Sequence, residues 1–213
     1  MKTKTICLMV LLYCTSAFAC RPLTTDDCGT VEKGKFEIEN GLDGVNLFSG
    51  GNSHSAGPSI KHGITESMDI GVSIPFALAP AVDEISGAAV FSLKFGFIKN
   101  LLAVSISGSP ASAAYSLNSV FSKDFGSFNT HLNLGYNATG DPAAKGLLTY
   151  GLSVLVPVDK FQIVMETYGD EQDKNWLVGG IYELFPGFSL DAGYTRSFTT
   201  DTDRMTAGFH AEF

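Results

Sequence analysis

Apolar and polar residues alternate along most of this chain with a period of two. In the stretch Met205-Thr206-Ala207-Gly208-Phe209-His210-Ala211-Glu212-Phe213, the odd positions are apolar and the even positions are Thr, Gly, His and Glu. The same alternation runs through Met68, Ile70, Val72, Ile74 and Phe76, and through Phe91, Leu93, Phe95 and Phe97. It returns in Leu148, Tyr150, Leu152, Val154 and Val156, and in Phe161, Ile163 and Met165. A strand points successive side chains to opposite faces, so each stretch has one face for an apolar medium and one for water. No stretch sustains a 3.6-residue period. The pattern predicts twelve strands, at 34–42, 56–64, 67–77, 86–98, 100–109, 112–123, 126–138, 145–157, 159–169, 173–185, 187–198 and 202–213.

The connections between these segments also alternate. Those around 43–55, 78–85 and 139–144 are long, and those at 65–66, 99, 158 and 186 are tight. The fifth connection, at Ser109-Pro110-Ala111, is the exception and is nearly as short as a turn. Long loops at one end and short turns at the other are the signature of a transmembrane antiparallel up-and-down β-barrel with an even strand number. Closure is required because hydrocarbon offers no partner to an unpaired backbone N–H or C=O. A helical span is not available. The longest run without Asp, Glu, Lys or Arg, Asn100 to Ser122, contains Gly108, Pro110 and many serines.

The amino terminus supports an exported protein. Lys2 and Lys4 precede the apolar run Ile6 to Tyr13, and Ala17-Phe18-Ala19 supplies a small-x-small cleavage site. The expected organisation is a signal peptide at 1–19, a periplasmic N-terminal segment at 20–33 and the barrel at 34–213. Cys20 and Cys28 would then be the thiols of the mature chain, and an oxidising compartment favours a small disulfide loop between them. Lipidation of Cys20 is the competing reading, and it excludes the bridge. Two cysteines without nearby histidine do not make a zinc site, and no motif calls for a metal or cofactor.

Composition narrows the partners. The chain has 14 Lys+Arg against 22 Asp+Glu, a net charge of -8, with 45% hydrophobic residues. Nucleic acid is excluded by the absence of a basic run, and disorder by the hydrophobic content. The expected partners are outer-membrane lipid, the barrel-assembly machinery and a small-molecule solute. Strand parity turns Glu37, Glu39, Lys61, Asp69, Lys94 and His131 toward the lumen. Glu166, Glu183, Asp191, His210 and Glu212 face the same way. These charges either form ion-pair networks that fill the lumen or bias an aqueous path toward cations. Asp26-Asp27 either closes the periplasmic mouth, binds a divalent cation, or tethers the segment before the first strand.

The run from Arg21 to Glu39, with its Pro22, Thr25-Asp26-Asp27, Gly29-Thr30 and Glu37-Ile38-Glu39, resembles the opening of a bacterial outer-membrane family. That family is named for the MetA pathway of phenol degradation and is also described as transporter-like. Ile64-Thr65-Glu66-Ser67-Met68-Asp69-Ile70-Gly71-Val72 is similar to its second hairpin. Cys28 stands where many relatives have a small residue. The resemblance implies a barrel that passes small, aromatic or hydrophobic molecules. The ending on Phe213 resembles that of bacterial outer-membrane barrels in general, and this implies that Phe213, with Phe209, is the terminal aromatic signal read by the assembly machinery.

The expected function is therefore passive passage or binding of a small solute in a bacterial outer membrane, with both termini periplasmic. Two other readings stand beside it: a closed structural or adhesion barrel, and an outer-membrane hydrolase. The sequence contains no Gly-x-Ser-x-Gly, His-Glu-x-x-His, phosphate-loop or dinucleotide motif, so an enzyme is not the expectation. Deleting Phe213 is expected to lower the amount of assembled barrel in cells. Surface abundance equal to that of the intact chain would remove the signal reading.

Overall fold

A computed structural model describes residues 21–46, 53–79, 86–141 and 143–213. Cys20 and the expected signal peptide lie outside the described residues.

The described residues form fourteen strand segments and no helix, and they assemble into one closed antiparallel sheet of twelve staves. The first stave is β1 (Phe36–Val45). The second is split into β2 (Ser53–Ala56) and β3 (Ser59–Thr65), and the third into β4 (Met68–Ser73) and β5 (Phe76–Ala79). Then come β6 (Val90–Ile98), β7 (Leu102–Gly108), β8 (Tyr115–Asp124), β9 (Asn129–Ala138) and β10 (Leu147–Val158). The last four are β11 (Phe161–Gly169), β12 (Lys174–Phe185), β13 (Phe188–Ser197) and β14 (Asp203–Glu212).

Each stave pairs with its sequence neighbours, and β14 closes on β1 from Glu37↔Glu212 to Val45↔Arg204. Two further hydrogen bonds extend that ladder. Phe36 N–H donates to Phe213 O at 2.8 Å, and Phe213 N–H to Phe36 O at 3.0 Å. Their rings stack with centroids 6.1 Å apart.

The breaks in the second and third staves have one cause. Pro58 and Pro75 lack an N–H, so the ladder cannot continue through them. They fall at matching levels, because Ser59 pairs with Ser73 and Ala56 with Phe76. Where one strand was expected at 86–98, Ser86 makes only an isolated bridge to Phe76 and the regular strand starts at Val90.

The short connections follow local chemistry. Asn100, Asp159, Gly126 and Gly187 take positive φ there, the conformation a tight turn demands and these residues tolerate. The fifth connection is corrected. It spans 109–114, because Ser109-Pro110 stops β7 and β8 begins only at Tyr115. Every odd connection is then longer than its even neighbours, and the start of β1 at Phe36 and the terminal Phe213 lie at the short-turn end.

Facing follows parity. Leu93, Phe95, Leu132, Leu148, Leu152 and Ile163 are exposed on the outer wall, Leu148 by 60%. The inner wall is polar apart from Ala103 and Val120, which pack on Cys28, and one larger apolar cluster. Leu155, Val164, Leu177 and Ile181 form a buried apolar cluster inside the barrel. Their sequence sign is a run in place of an alternation, as in Val154-Leu155-Val156 and Ile163-Val164-Met165: both faces of those stretches are apolar because both are covered.

Leu152 sits on the outer wall between Leu132 and Thr167. Leu152→Arg is expected to cost ~2–4 kcal/mol near the bilayer midplane. The check is the denaturant midpoint of refolding into vesicles; insertion at the wild-type midpoint would overturn the outward assignment.

Candidate functional site, a lumen occupied by the N-terminal segment

The residues before β1 have neither periodicity nor regular secondary structure, yet they are among the best anchored in the molecule. Residues 21–32 run inside the barrel from the short-turn end, and the lumen receives them residue by residue. Nearest β1, Val31 N–H donates to Asp69 Oδ2 at 3.0 Å. Cys28 N–H donates to Ser122 Oγ at 2.9 Å, and that oxygen lies 2.8 Å from His131 Nδ1. Asp26 and Asn133 exchange two bonds: Asp26 N–H to Oδ1 at 2.9 Å, and Asn133 Nδ2 to Asp26 O at 2.7 Å.

Farther in, one carboxylate does the work of several acceptors. Thr24 N–H donates to Glu166 Oε2 at 2.9 Å, and Thr25 N–H makes a short bond to Oε1. A carboxylate accepting backbone amides makes charge-assisted bonds, worth ~1.5–3 kcal/mol each. Leu23 packs onto the apolar cluster of Leu155, Val164, Leu177 and Ile181. Arg21 ends the described path. It lies 3.8 Å from Asp191 and 3.9 Å from Asp43 and donates to the Thr206 hydroxyl.

The lumen is shaped for this occupant. A Cβ on Gly41 would collide with the Arg21 guanidinium, and one on Gly208 would lie 2.4 Å from Asn40 O and 2.7 Å from Arg21 Nε. One on Gly193 would lie 2.9 Å from Pro22 Cβ, one on Gly151 2.2 Å from Thr25 Cγ2, and one on Gly63 2.2 Å from Glu32 O. Five inward positions on separate staves thus lack a side chain where the segment passes.

Two charge clusters accompany the segment. Lys94 bonds Asp26 at 2.9 Å and approaches Asp27 at 3.5 Å, and Asp27 itself is 1% exposed. Lys61 bridges Glu37 at 2.5 Å and Glu39 at 3.4 Å, and Glu39 also faces His210 Nδ1 at 3.6 Å. Buried carboxylates are tolerable only with such partners. Glu37, Glu39 and His210 are close enough together to suggest a metal cluster, but the Lys61 ammonium already holds that position.

The lumen candidates can now be placed. Glu37, Glu39, Lys61, Asp69, Lys94, His131, Glu166, Asp191 and His210 face inward and join the network. Glu212 sits at the short-turn mouth on Lys35, 3.3 Å away. Glu183 stays outside the network and makes no ion pair among the described residues. Asp26-Asp27 tethers the segment as well as occupying the lumen.

Cys20, the expected bridge partner of Cys28, lies outside the described residues. The Cys28 thiol is free and buried against Ala103 and Val120, with its amide turned to Ser122. Sequence reasoning placed Asn133 in the lumen by parity but missed Arg21, Pro22, Thr24 and Ser122 as participants. The inward-facing glycines were their signal.

Ser122 and His131 also offer the geometry of a nucleophile and base. The Ser122 oxygen accepts the Cys28 amide, both side chains are buried, and among the described residues nothing is hydrogen-bonded to the other imidazole nitrogen. The pair reads as part of the anchor.

The segment leaves water-accessible space on both sides. Toward the long loops lies a cavity of about 420 Å³ floored by Thr24 and Thr25. At the short-turn mouth lies one of about 980 Å³ beside Cys28, Gly29 and Thr30.

No protein-family model matches the chain, and no curated protein matches it. Solved structures do. The KdgM porin superposes with a TM-score of 0.65 at 10% identity, over 83% of this chain and 99% of that one. An outer membrane protein of Acinetobacter baumannii gives a TM-score of 0.57 at 9% identity, over 86% of this chain and 100% of that one. The COG4313 outer membrane channel from Pseudomonas putida F1 gives 0.54 at 11% identity, over 88% and 98%. At these identities the likeness establishes the fold, a closed barrel of the outer-membrane type.

Gly151→Val is expected to leave the barrel closed and expel the turn at Thr24-Thr25. Maleimide labelling of Cys28 in a Cys20→Ser background reports this. Labelling should speed up about tenfold, the effect of losing ~1.4 kcal/mol of docking. An unchanged rate would show that Gly151 is not part of the mould.

Proposed function

We propose that this protein is a bacterial outer-membrane channel for passive passage of a small solute, and that its N-terminal segment closes the lumen in the conformation described. The observation that carries the reading is the segment itself. It crosses the lumen between two water-accessible cavities and is held by hydrogen bonds and ion pairs, which can be exchanged for water. The fold, shared with porins and channels, supports the same reading. A structural or adhesion barrel would be served as well by bulky side chains filling the lumen; here glycines clear a path instead.

The loop asymmetry supports an orientation with the short turns, Phe213 and the entry of the segment on the periplasmic side. On this reading residues 1–19 are the export signal, residues 20–33 the closing segment, and 34–213 the barrel. Phe209 and Phe213 serve assembly.

Removal of residues 20–32 would release Asp69, Glu166 and Asp191 from their partners. Acids then dominate the lumen, with Lys61, Lys94 and Arg204 as counter-charges. Single-channel recording in a planar bilayer tests this. The intact chain is expected to conduct weakly, and the deletion variant steadily, several-fold more strongly, and with cation selectivity under a salt gradient. Equal conductance of the two proteins would remove the closing role. No conductance from a folded deletion variant would remove the channel itself.

A further inference from the structure

The cavity on the long-loop side has a lining unlike the rest of the barrel. Ser105 and Ser107 on β7 stand in register with Asn118 and Ser116 on β8. Ser116 pairs in turn with Asn137 on β9, and Asn133 on β9 pairs with Gly151 on β10. Tyr168 on β11 pairs with Gly151 and with Asn175 on β12. Neutral hydroxyls and amides therefore follow one another at one level around half of the barrel wall.

Ser105, Ser107, Ser116, Asn137 and Thr149 make no side-chain hydrogen bond among the described residues, so their donors and acceptors face the cavity. Each serine or threonine hydroxyl both donates and accepts, and each asparagine offers two donors and an acceptor.

Charge sharpens the picture. The lining contains no lysine, arginine or histidine. Arg204, across the lumen, is engaged by the Tyr168 hydroxyl at 2.5 Å. Two carboxylates stand at the rim. Asp170 accepts the amides of Gln172 and Asp173, at 2.6 and 2.9 Å. Asp173 accepts from the Ser197 hydroxyl at 2.6 Å and from Asn175 at 3.0 Å. The Ser197 hydrogen bond holds the Asp173 carboxyl below its usual range, so it stays ionised.

We infer that this vestibule is a binding site for a neutral polyhydroxylated solute, a monosaccharide or short oligosaccharide, resting on the Thr24-Thr25 floor. The inference rests on the reading of the barrel as a solute channel and names the solute class. A volume of about 420 Å³ suits a small ligand. Multiple bidirectional hydroxyl and amide partners match a polyol, which donates and accepts at every hydroxyl. An anionic sugar acid meets two carboxylates at the rim and no base in the lining, with Arg204 held behind the Tyr168 hydroxyl. An aromatic hydrocarbon would strip water from polar groups it cannot pair, the arrangement by which polar sites reject apolar analogues.

The test compares galactose with galacturonate, which share a ring and differ in the carboxylate, and adds toluene. Saturation-transfer NMR on the full chain in nanodiscs reads the binding of each. Galactose is expected to bind, galacturonate at least about tenfold more weakly, and toluene not at the vestibule. In the double variant Ser116→Ala/Thr149→Val, galactose binding should fall about tenfold, the effect expected from two lost hydrogen bonds. The wild-type comparison stands on its own if that variant does not fold.

Failure of galactose to bind would overturn the inference. So would galacturonate or toluene binding as tightly as galactose, or galactose binding unchanged in the double variant. Vesicle swelling with the protein lacking residues 20–32 separates this from the channel reading. Swelling in sugar without vestibule binding leaves the channel and sinks the site. Binding without passage of any solute leaves the site and sinks the channel.

Discussion

In hydrocarbon, the free energy of an unpaired peptide group is several kcal/mol, and the ladder between β1 and β14 is where this chain meets that constraint. Without it, the outer edges of β1 and β14 would each present a row of bare donors and acceptors. With it, Phe36 and Phe213 exchange their backbone bonds and stack their rings, and the sheet has no edge. Closure then decides the rest. Once the wall is a cylinder, odd and even positions acquire opposite solvents, and a lumen exists that something must occupy.

The solution here is unusual in its distribution of roles. Outward positions are conventional, with leucine, isoleucine and phenylalanine exposed on the outer wall. Inward positions combine missing side chains with carboxylates. Gly41, Gly151, Gly193 and Gly208 give room to the N-terminal segment, while Asp69, Glu166 and Asp191 give it acceptors and counter-charge. Space alone would leave the segment's amides unsatisfied, and carboxylates alone would leave buried charge without partners. Together they make a fit that is specific to a peptide of this sequence, with Arg21 in one glycine gap, Pro22 in a second and Thr25 in a third.

This arrangement changes the meaning of the acidic lumen. Counting charges suggested a path for cations or a filled network, and the geometry shows a network in which most acids already hold an amide, an ammonium or an imidazole. The exchangeable nature of those bonds connects the structure to function. A segment held by hydrogen bonds can be displaced without breaking the wall, whereas a lumen filled by the staves' own side chains cannot open without repacking it. The vestibule beyond the segment is different again. There Ser105, Ser107, Ser116, Asn137 and Thr149 carry hydroxyls and an amide that no other described residue uses, which is why they speak of a solute.

Strand number, wall facing and the two ends of the barrel were legible in the sequence because they are local. A period of two needs only neighbouring residues, and the alternation of long and short connections needs only their spacing. The proline breaks at 58 and 75, which the expected strands at 56–64 and 67–77 ran through, follow from a missing N–H. The fifth loop was underestimated because a strand boundary beside small residues carries little local signal. Residues 21–32 were not legible as an occupant of the lumen. Their partners lie far along the chain, 185 residues away for Arg21 and Thr206, and no local pattern links two such positions. The inward glycines and the apolar runs at Leu155 and Val164 were visible, but their meaning was not, because a glycine's purpose is set by what passes in front of it. The sequence by itself determined a wall with two faces. Only the tertiary structure decided what that wall encloses, because closure brings together side chains that the chain keeps far apart.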